Sequence, residues 1–213
     1  MRIRTPSHFV DRLGDEFSWR NKELLDYRVA TRTTNLVTQK ILLRAGVPLA
    51  YAHWEGFVKC STELLLNFIS HQGLRNGDLS DSYFTHSVKT HVAKLVDSSR
   101  AVAVNDAACF VRDASDKTAD IRHKNYVDTN SNLSSDMFEQ IARSMGIDTR
   151  AYQHIYPYID ESIVSTRNRI AHGEHLQLSP ADFHALIDRV SDLNRMYKID
   201  LENIVTLELF KRG

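Results

Sequence analysis

The stretch VPLAYAHWEGFVKCSTELLLNFIS, residues 47–70, constrains the fold more than any other part of the chain. Tyr51, Trp54, Val58, Leu65 and Ile69 recur at three- and four-residue steps, so they line one face of a long helix. An element of that length with a single apolar stripe has to bury it against other elements. Sheet-rich partners need many turns, and the chain supplies few turn residues. Eight glycines and four prolines among 213 residues fall well below the roughly 12% usual for those two types together. An all-α, up-and-down helical bundle is the expected architecture.

Other helices are legible around this one. From Phe9 to about Arg44 the pattern is helical, with a break expected near Ser18 and a stop at Ala45-Gly46. Val47-Pro48 then opens the long helix. GLRNG at 73–77 reads as a turn, and Ser80 to about Asp97 as a further helix. Ala101–Val111, made of short and β-branched residues, suits either a helix or a small hairpin. Arg112–Ser135 is polar and reads as a surface loop. Ser135 is expected to cap DMFEQIARSM, which Gly146 ends. A regular helix is expected from about Arg150 to Ala171, with Ile155, Ile159, Ile163, Thr166 and Ile170 facing inward and His172-Gly173 as its exit. Ser179-Pro180-Ala181-Asp182 carries the start signals of a last helix through Leu186, Val190, Leu193 and Tyr197, with a restart near Leu201. The expectation is one domain over 1–213, with 1–45 as an N-terminal helical extension and 97–135 as an irregular insertion.

Charge and cysteine content narrow the function. Lysine plus arginine number 27 and aspartate plus glutamate 27, so no broad cationic face of the kind that coats duplex DNA is demanded. A local anion site remains compatible. Two cysteines, Cys60 and Cys109, are too few for a disulfide framework and read as buried thiols in a reducing compartment. No apolar signal segment or run of eighteen apolar residues occurs, so a soluble, cytoplasmic protein with no membrane association is expected. Phosphate-binding glycine loops are absent from the sequence. His172 and His175 are three apart without a compact third ligand, so neither a metal nor a cofactor is expected.

The chemistry-bearing stretch is Ser165–Gly173, STRNRIAHG. Asn168 and His172 are four apart and so neighbours on one helix face, within hydrogen-bonding reach. His172 stands at a helix C-terminus, where the dipole favours an imidazolium, and imidazole is the side chain suited to moving protons near neutrality. Arg167 supplies a forked cation matched to phosphate. Five residues turn an ideal helix by about 500°, which leaves Arg167 and His172 roughly 140° apart. Aiming both at one atom needs the helix to end at Ala171, or a second copy of the chain to lend a group. An arginine in a surface ion pair and a histidine acting as a cap would account for the same residues in a purely helical adaptor.

RNRIAHG, residues 167–173, resembles the R-x4-6-H signature of the HEPN superfamily (higher eukaryotes and prokaryotes nucleotide-binding), including the polar residue after the arginine. AYAHWEGFVK, residues 50–59, resembles the second-helix motif of the MAE/RiboL-PSP-type HEPN nucleases. VDTNSNLSSDMFEQIARSMGID, residues 127–148, resembles the segment before their active-site helix. The three fall in the family's order, and the resemblance covers about 40–200. It implies a metal-independent endoribonuclease that leaves 2′,3′-cyclic phosphate and 5′-OH ends on its RNA substrate. Arg167 and His172 would be the catalytic pair and Asn168 their support, in a homodimer with a composite site, within a bacterial defence or toxin-like system with an antitoxin or defence partner. The alternative it allows is a non-catalytic HEPN module that binds RNA or a nucleotide, or scaffolds a defence complex.

Several residues stand beside this reading. Glu55 is placed to face Arg167 or Arg169 and hold the site together, though an ion pair without a catalytic part fits as well. His53 and Trp54 read as packing residues, with His53 at most bordering a nucleotide pocket. HEPN toxins modified by nucleotidyltransferase antitoxins carry a tyrosine two places after the histidine; Glu174 stands there, so adenylylation control is not implied. Arg2, Arg4, Lys211 and Arg212 read as solvated ends.

Overall fold

A computed structural model describes residues 2–97, 100–129 and 132–213. Thr5 caps α1 (Pro6–Thr33) by accepting from the His8 N–H. Asn35 caps α2 (Leu36–Ser70), its side-chain oxygen accepting from the N–H groups of Val37 and Thr38. The break expected near Ser18 is absent, and the chain does not stop at Ala45-Gly46. It turns back at Thr34-Asn35 instead, and α2 runs straight through Gly46 and Pro48. Gly46 is buried where α1 and the last long helix of the chain approach: a Cβ there would lie 2.4 Å from Phe183 Cζ and 2.6 Å from Tyr27 Cε1. Its smallness serves helix packing, not a turn.

α3 (Asp81–Asp97) packs against α4 (Ala101–Arg112), so the short-residue stretch is helix and not hairpin. Irregular chain follows to α5 (Ser135–Ser144), whose cap is Ser134, one residue before the expected Ser135. Of the expected insertion, residues 98–99 and 130–131 lie outside the described residues. α8 (Pro180–Thr206) is capped by Ser179 as its sequence signals, and continues through Leu201 without a restart. No β-strand occurs among the described residues.

α2 is the central element, with α1 and α8 packed on it and on each other. Trp54, fully buried, meets Phe138 of α5 at 5.0 Å between ring centroids. Phe138 in turn meets Tyr152 at 4.9 Å and Tyr197 of α8 at 5.5 Å. A second cluster, Phe9–Phe68–Phe210, closes the end where the termini lie. The termini are tied down there. Ile3 is buried with its N–H on Asn67 Oδ1, and the Ser80 and Arg212 N–H groups bond across to Phe210 and Asp78 carbonyls. The backbone is docked at both ends, while Arg2, Arg4 and Arg212 are exposed, as expected of solvated ends. Cys60 and Cys109 are half-buried, less enclosed than their type suggests, and burial pushes the Cys60 thiol up to about 11.

The segment expected as one regular helix from Arg150 is composite. Short 3₁₀ turns at Thr149–Ala151 and Gln153–Ile155 lead into one α turn, α6 (Tyr156–Tyr158), then a π-helical stretch, Ile159–Ser165, then α7 (Thr166–Ala171). The wider π turn shifts the face that α7 presents. Ile155, Ile159 and Ile163 point inward as expected, but the next buried position is Val164 and not Thr166. Asp160 in this stretch accepts from the Ser135 N–H at 2.8 Å and the Ser135 hydroxyl at 2.5 Å. That anchors the π segment to the N-terminus of α5, where a carboxylate is favoured.

Two enclosed imidazoles give the fold a pH dependence. His53 is buried between α1 and α2, its ring edge-on to Trp19 and near the Glu23 carboxylate. His86 contacts the Ser144 carbonyl through Nε2 at 2.8 Å and the Tyr126 hydroxyl through Nδ1 at 2.6 Å. Burial lowers both below the usual 6.5, with Glu23 partly opposing the shift at His53 and the Ser144 carbonyl at His86. The unfolded chain therefore binds protons at these positions more readily than the folded one. Stability is full above about pH 6.5 and declines as pH falls below it. Urea midpoints at pH 7.0 and 5.5 measure this, and the lower value is expected at pH 5.5.

Candidate functional site

α7 packs on the stripe of α2 that carries Tyr51. The π-helical lead-in orients α7 so that the guanidinium of Arg167 lies over the Tyr51 ring, its Cζ 4.5 Å from the ring centroid. Stacking of this kind holds the planar cation in one orientation. Arg167 Nη1 also donates to Asn168 Oδ1 at 2.6 Å. The Asn168 amide nitrogen reaches Asn132 Oδ1 at a long 3.5 Å. Arginine, asparagine and tyrosine thus form one half-buried cluster.

The irregular chain before α5 closes the cluster from the other side. The Leu133 N–H donates to the Tyr51 hydroxyl at 2.7 Å, and the Thr129 hydroxyl donates to Glu55 Oε1. Burial raises the Tyr51 phenol above its usual range, opposed by the Leu133 N–H and by Arg167 and reinforced by the Glu55 carboxylate. The phenol stays protonated, so the carboxylate of Glu55 and the cation of Arg167 flank a neutral ring. Glu55 is fixed by the loop and not by Arg169, as the sequence allowed. Arg169 turns outward and bonds Glu174 Oε2 through Nε at 2.7 Å.

His172 is the residue at which α7 ends, and it is exposed. Gly173 follows at φ +83°. Its N–H bonds the Ile170 carbonyl at 3.0 Å and the Glu174 N–H the Arg169 carbonyl at 3.0 Å, a Schellman closure that only a left-handed residue completes easily. The expected side-chain bond between Asn168 and His172 is not formed. The link between them is the backbone bond from the His172 N–H to the Asn168 carbonyl at 2.9 Å. Among the described residues no group hydrogen-bonds the His172 ring. The angular separation inferred from helix geometry is visible as a division of faces, with Arg167 turned toward α2 and His172 toward solvent.

Arg167, Asn168 and His172 stand out in the sequence, but the parts that hold them do not. Tyr51 is one of a helical core stripe there, and nothing local marks Thr129, Asn132, Leu133 or Asp160. All but Asp160 lie in the segments 50–59 and 127–148. His53 is on another face of α2, against α1, and belongs to packing, as does the fully buried Trp54. His175 is exposed beyond the α7 turn. No group of three His, Cys, Asp or Glu side chains is placed to hold a metal ion among the described residues.

The family model described as RiboL-PSP-HEPN matches residues 15–203, and the chain belongs to that family. The match begins inside α1, so most of the helix that the resemblance from residue 40 left aside lies within the family's span. No curated protein and no solved structure matches the chain. Family membership indicates a nuclease-like or RNA-related module, and HEPN domains often act as RNases and as RNA-binding dimers. No helix among the described residues is long and apolar enough to cross a membrane.

Proposed function

We propose that the chain is a metal-independent endoribonuclease acting on RNA with Arg167, Asn168 and His172. The observation that carries this reading is the pairing of two unlike groups on one short helix. A cation is held rigid on the Tyr51 ring at 4.5 Å, and an exposed imidazole closes the same helix. In the reaction the ribose 2′-oxygen forms a bond to the adjacent phosphorus and the bond from phosphorus to the 5′-oxygen breaks. His172 takes the 2′-hydroxyl proton or supplies the proton that the departing 5′-oxygen needs. Arg167 faces the charge that grows on the non-bridging oxygens. Asn168 positions the guanidinium through the 2.6 Å bond, and Glu55, held by Thr129, supports Tyr51 from the other side.

The division of faces between Arg167 and His172 supports a homodimer, in which one copy's arginine and the other's histidine converge on one linkage. A cytoplasmic setting in a defence or toxin-like system, with an antitoxin or defence partner, rests on family analogy alone. The test is incubation of purified protein with mixed RNA in excess EDTA, followed by analysis of the ends. Cleavage with 2′,3′-cyclic phosphate and 5′-OH ends is expected. Cleavage that starts only when a divalent metal is added would overturn the mechanism. RNA binding with intact RNA under both conditions would select the non-catalytic module, which the exposed His172 ring also accommodates.

A further inference from the structure

A groove lies between the N-terminal half of α2 and the chain leaving α7. Its volume is about 370 Å3, and Lys40, Ile41, Arg44, His175, Leu176 and Leu178 line it. No carboxylate is among its lining residues. Lys40 and Arg44 form no ion pair or side-chain hydrogen bond among the described residues, unlike Arg28 and Arg195, which aspartates pair. The next depression along, past Leu178, contains Glu161 and Asp182 and so repels anions. Positive charge is therefore confined to one end of the cleft.

The groove lies close to the candidate active site along the chain. His175 is three residues from His172, a separation of at most about 10 Å along the chain. Its apolar walls, Ile41 and Leu178, suit the face of a base, and its cations suit a phosphate. We propose that this groove binds a nucleotide of single-stranded RNA adjoining the scissile linkage, with Lys40 and Arg44 on its phosphate. The inference rests on RNA being the substrate of the Arg167–His172 site, and it assigns substrate-positioning residues outside that site. An exposed Ile41 also suits a protein interface, but an acid-free lining with two unneutralised cations favours a polyanion.

The experiment measures binding apart from cleavage. Fluorescence polarisation of a labelled single-stranded RNA is followed with the His172→Ala chain as background, over a salt series. Lys40→Glu and Arg44→Glu in that background are each expected to weaken binding about 5- to 10-fold, and to reduce the slope of log affinity against log salt by about 0.7 for each phosphate no longer neutralised. Arg195→Glu, on α8 and already paired with Asp192, is the control for net charge. Circular dichroism establishes that each variant is folded. Reductions no larger than the control's would overturn the groove while leaving cleavage by the parent chain intact. Unchanged RNA affinity together with dissociation of a dimer by Ile41→Glu would assign the groove to a protein interface and overturn the proposal too. Binding abolished in the groove variants of a chain that cuts no RNA would sink the nuclease reading and keep the RNA groove.

Discussion

Arg167→Ala is expected to lower the single-turnover cleavage rate about 10²- to 10³-fold, the scale on which removing one transition-state charge donor costs an enzyme. The more telling variant is Arg167→Lys. If charge alone mattered, lysine would restore most of the rate. The guanidinium, however, does three things in one plane: it stacks on Tyr51, bonds Asn168 Oδ1, and offers a forked face to a phosphate. A tetrahedral ammonium on a flexible stem does none of these well. Arg167→Lys is therefore expected to stay within about tenfold of Arg167→Ala. The rate is measured with enzyme in excess and in EDTA, so that turnover and product release do not mask the chemical step. A lysine variant within about threefold of the parent would show that Tyr51 does not orient the cation and that the charge acts at a distance.

Tyr51 is also where the sequence stops short. Its spacing with Trp54 and Val58 marks a helical core position, and the side chain is indeed buried. Nothing in periodicity separates a ring that fills a core from a ring that also carries a cation on its face. The same holds for Thr129 and Leu133, which lie in polar, irregular chain whose path depends on long-range contacts to α2. By contrast, Ser179 and Pro180 announced the start of α8 because capping is local. Gly173 announced the end of α7 for the same reason. Residues whose role is set within one turn were legible. Of those set by a partner on a distant element, Tyr51, Thr129 and Leu133 are visible only as members of a resembling segment, and Asp160 lies outside those segments.

The π-helical stretch is the clearest case of information hidden from local pattern. The isoleucines at 155, 159 and 163 fit an uninterrupted helix, and extending that pattern puts Thr166 inside. Tertiary contacts overrule it: Asp160 is drawn to the start of α5, and Val164 takes the buried place. The register of α7, and hence the direction of Arg167, depends on that shift. A regular helix of the same sequence would point its arginine elsewhere.

Gly46→Val is expected to destabilise the fold by about 2–3 kcal/mol, and it tests the misread boundary between the first two helices. Glycine and proline at 46 and 48 look like a stop and a start. In the folded chain α2 passes through both, and glycine is required because α1 and α8 come close. A Cβ at 46 would approach Phe183 Cζ to 2.4 Å, Phe183 Cε2 to 2.6 Å and Tyr27 Cε1 to 2.6 Å. Neither ring is free to yield. Tyr27 donates to the Leu42 carbonyl at 2.7 Å, and the two rings pack edge to face 5.9 Å apart. Helix propensity works the other way, since replacing an interior glycine gains up to about 1 kcal/mol, so the overlap has to outweigh that gain. Gly14 separates the two effects. It lies within α1 with nothing within 4 Å of its added Cβ, so Gly14→Ala is expected to stabilise by about 0.5–1 kcal/mol. Urea unfolding at constant slope measures both. If Gly46→Val instead matched the parent's midpoint, α1 and α8 would not approach α2 at that turn, and the continuous helix from Leu36 to Ser70 would lose the packing that explains its glycine.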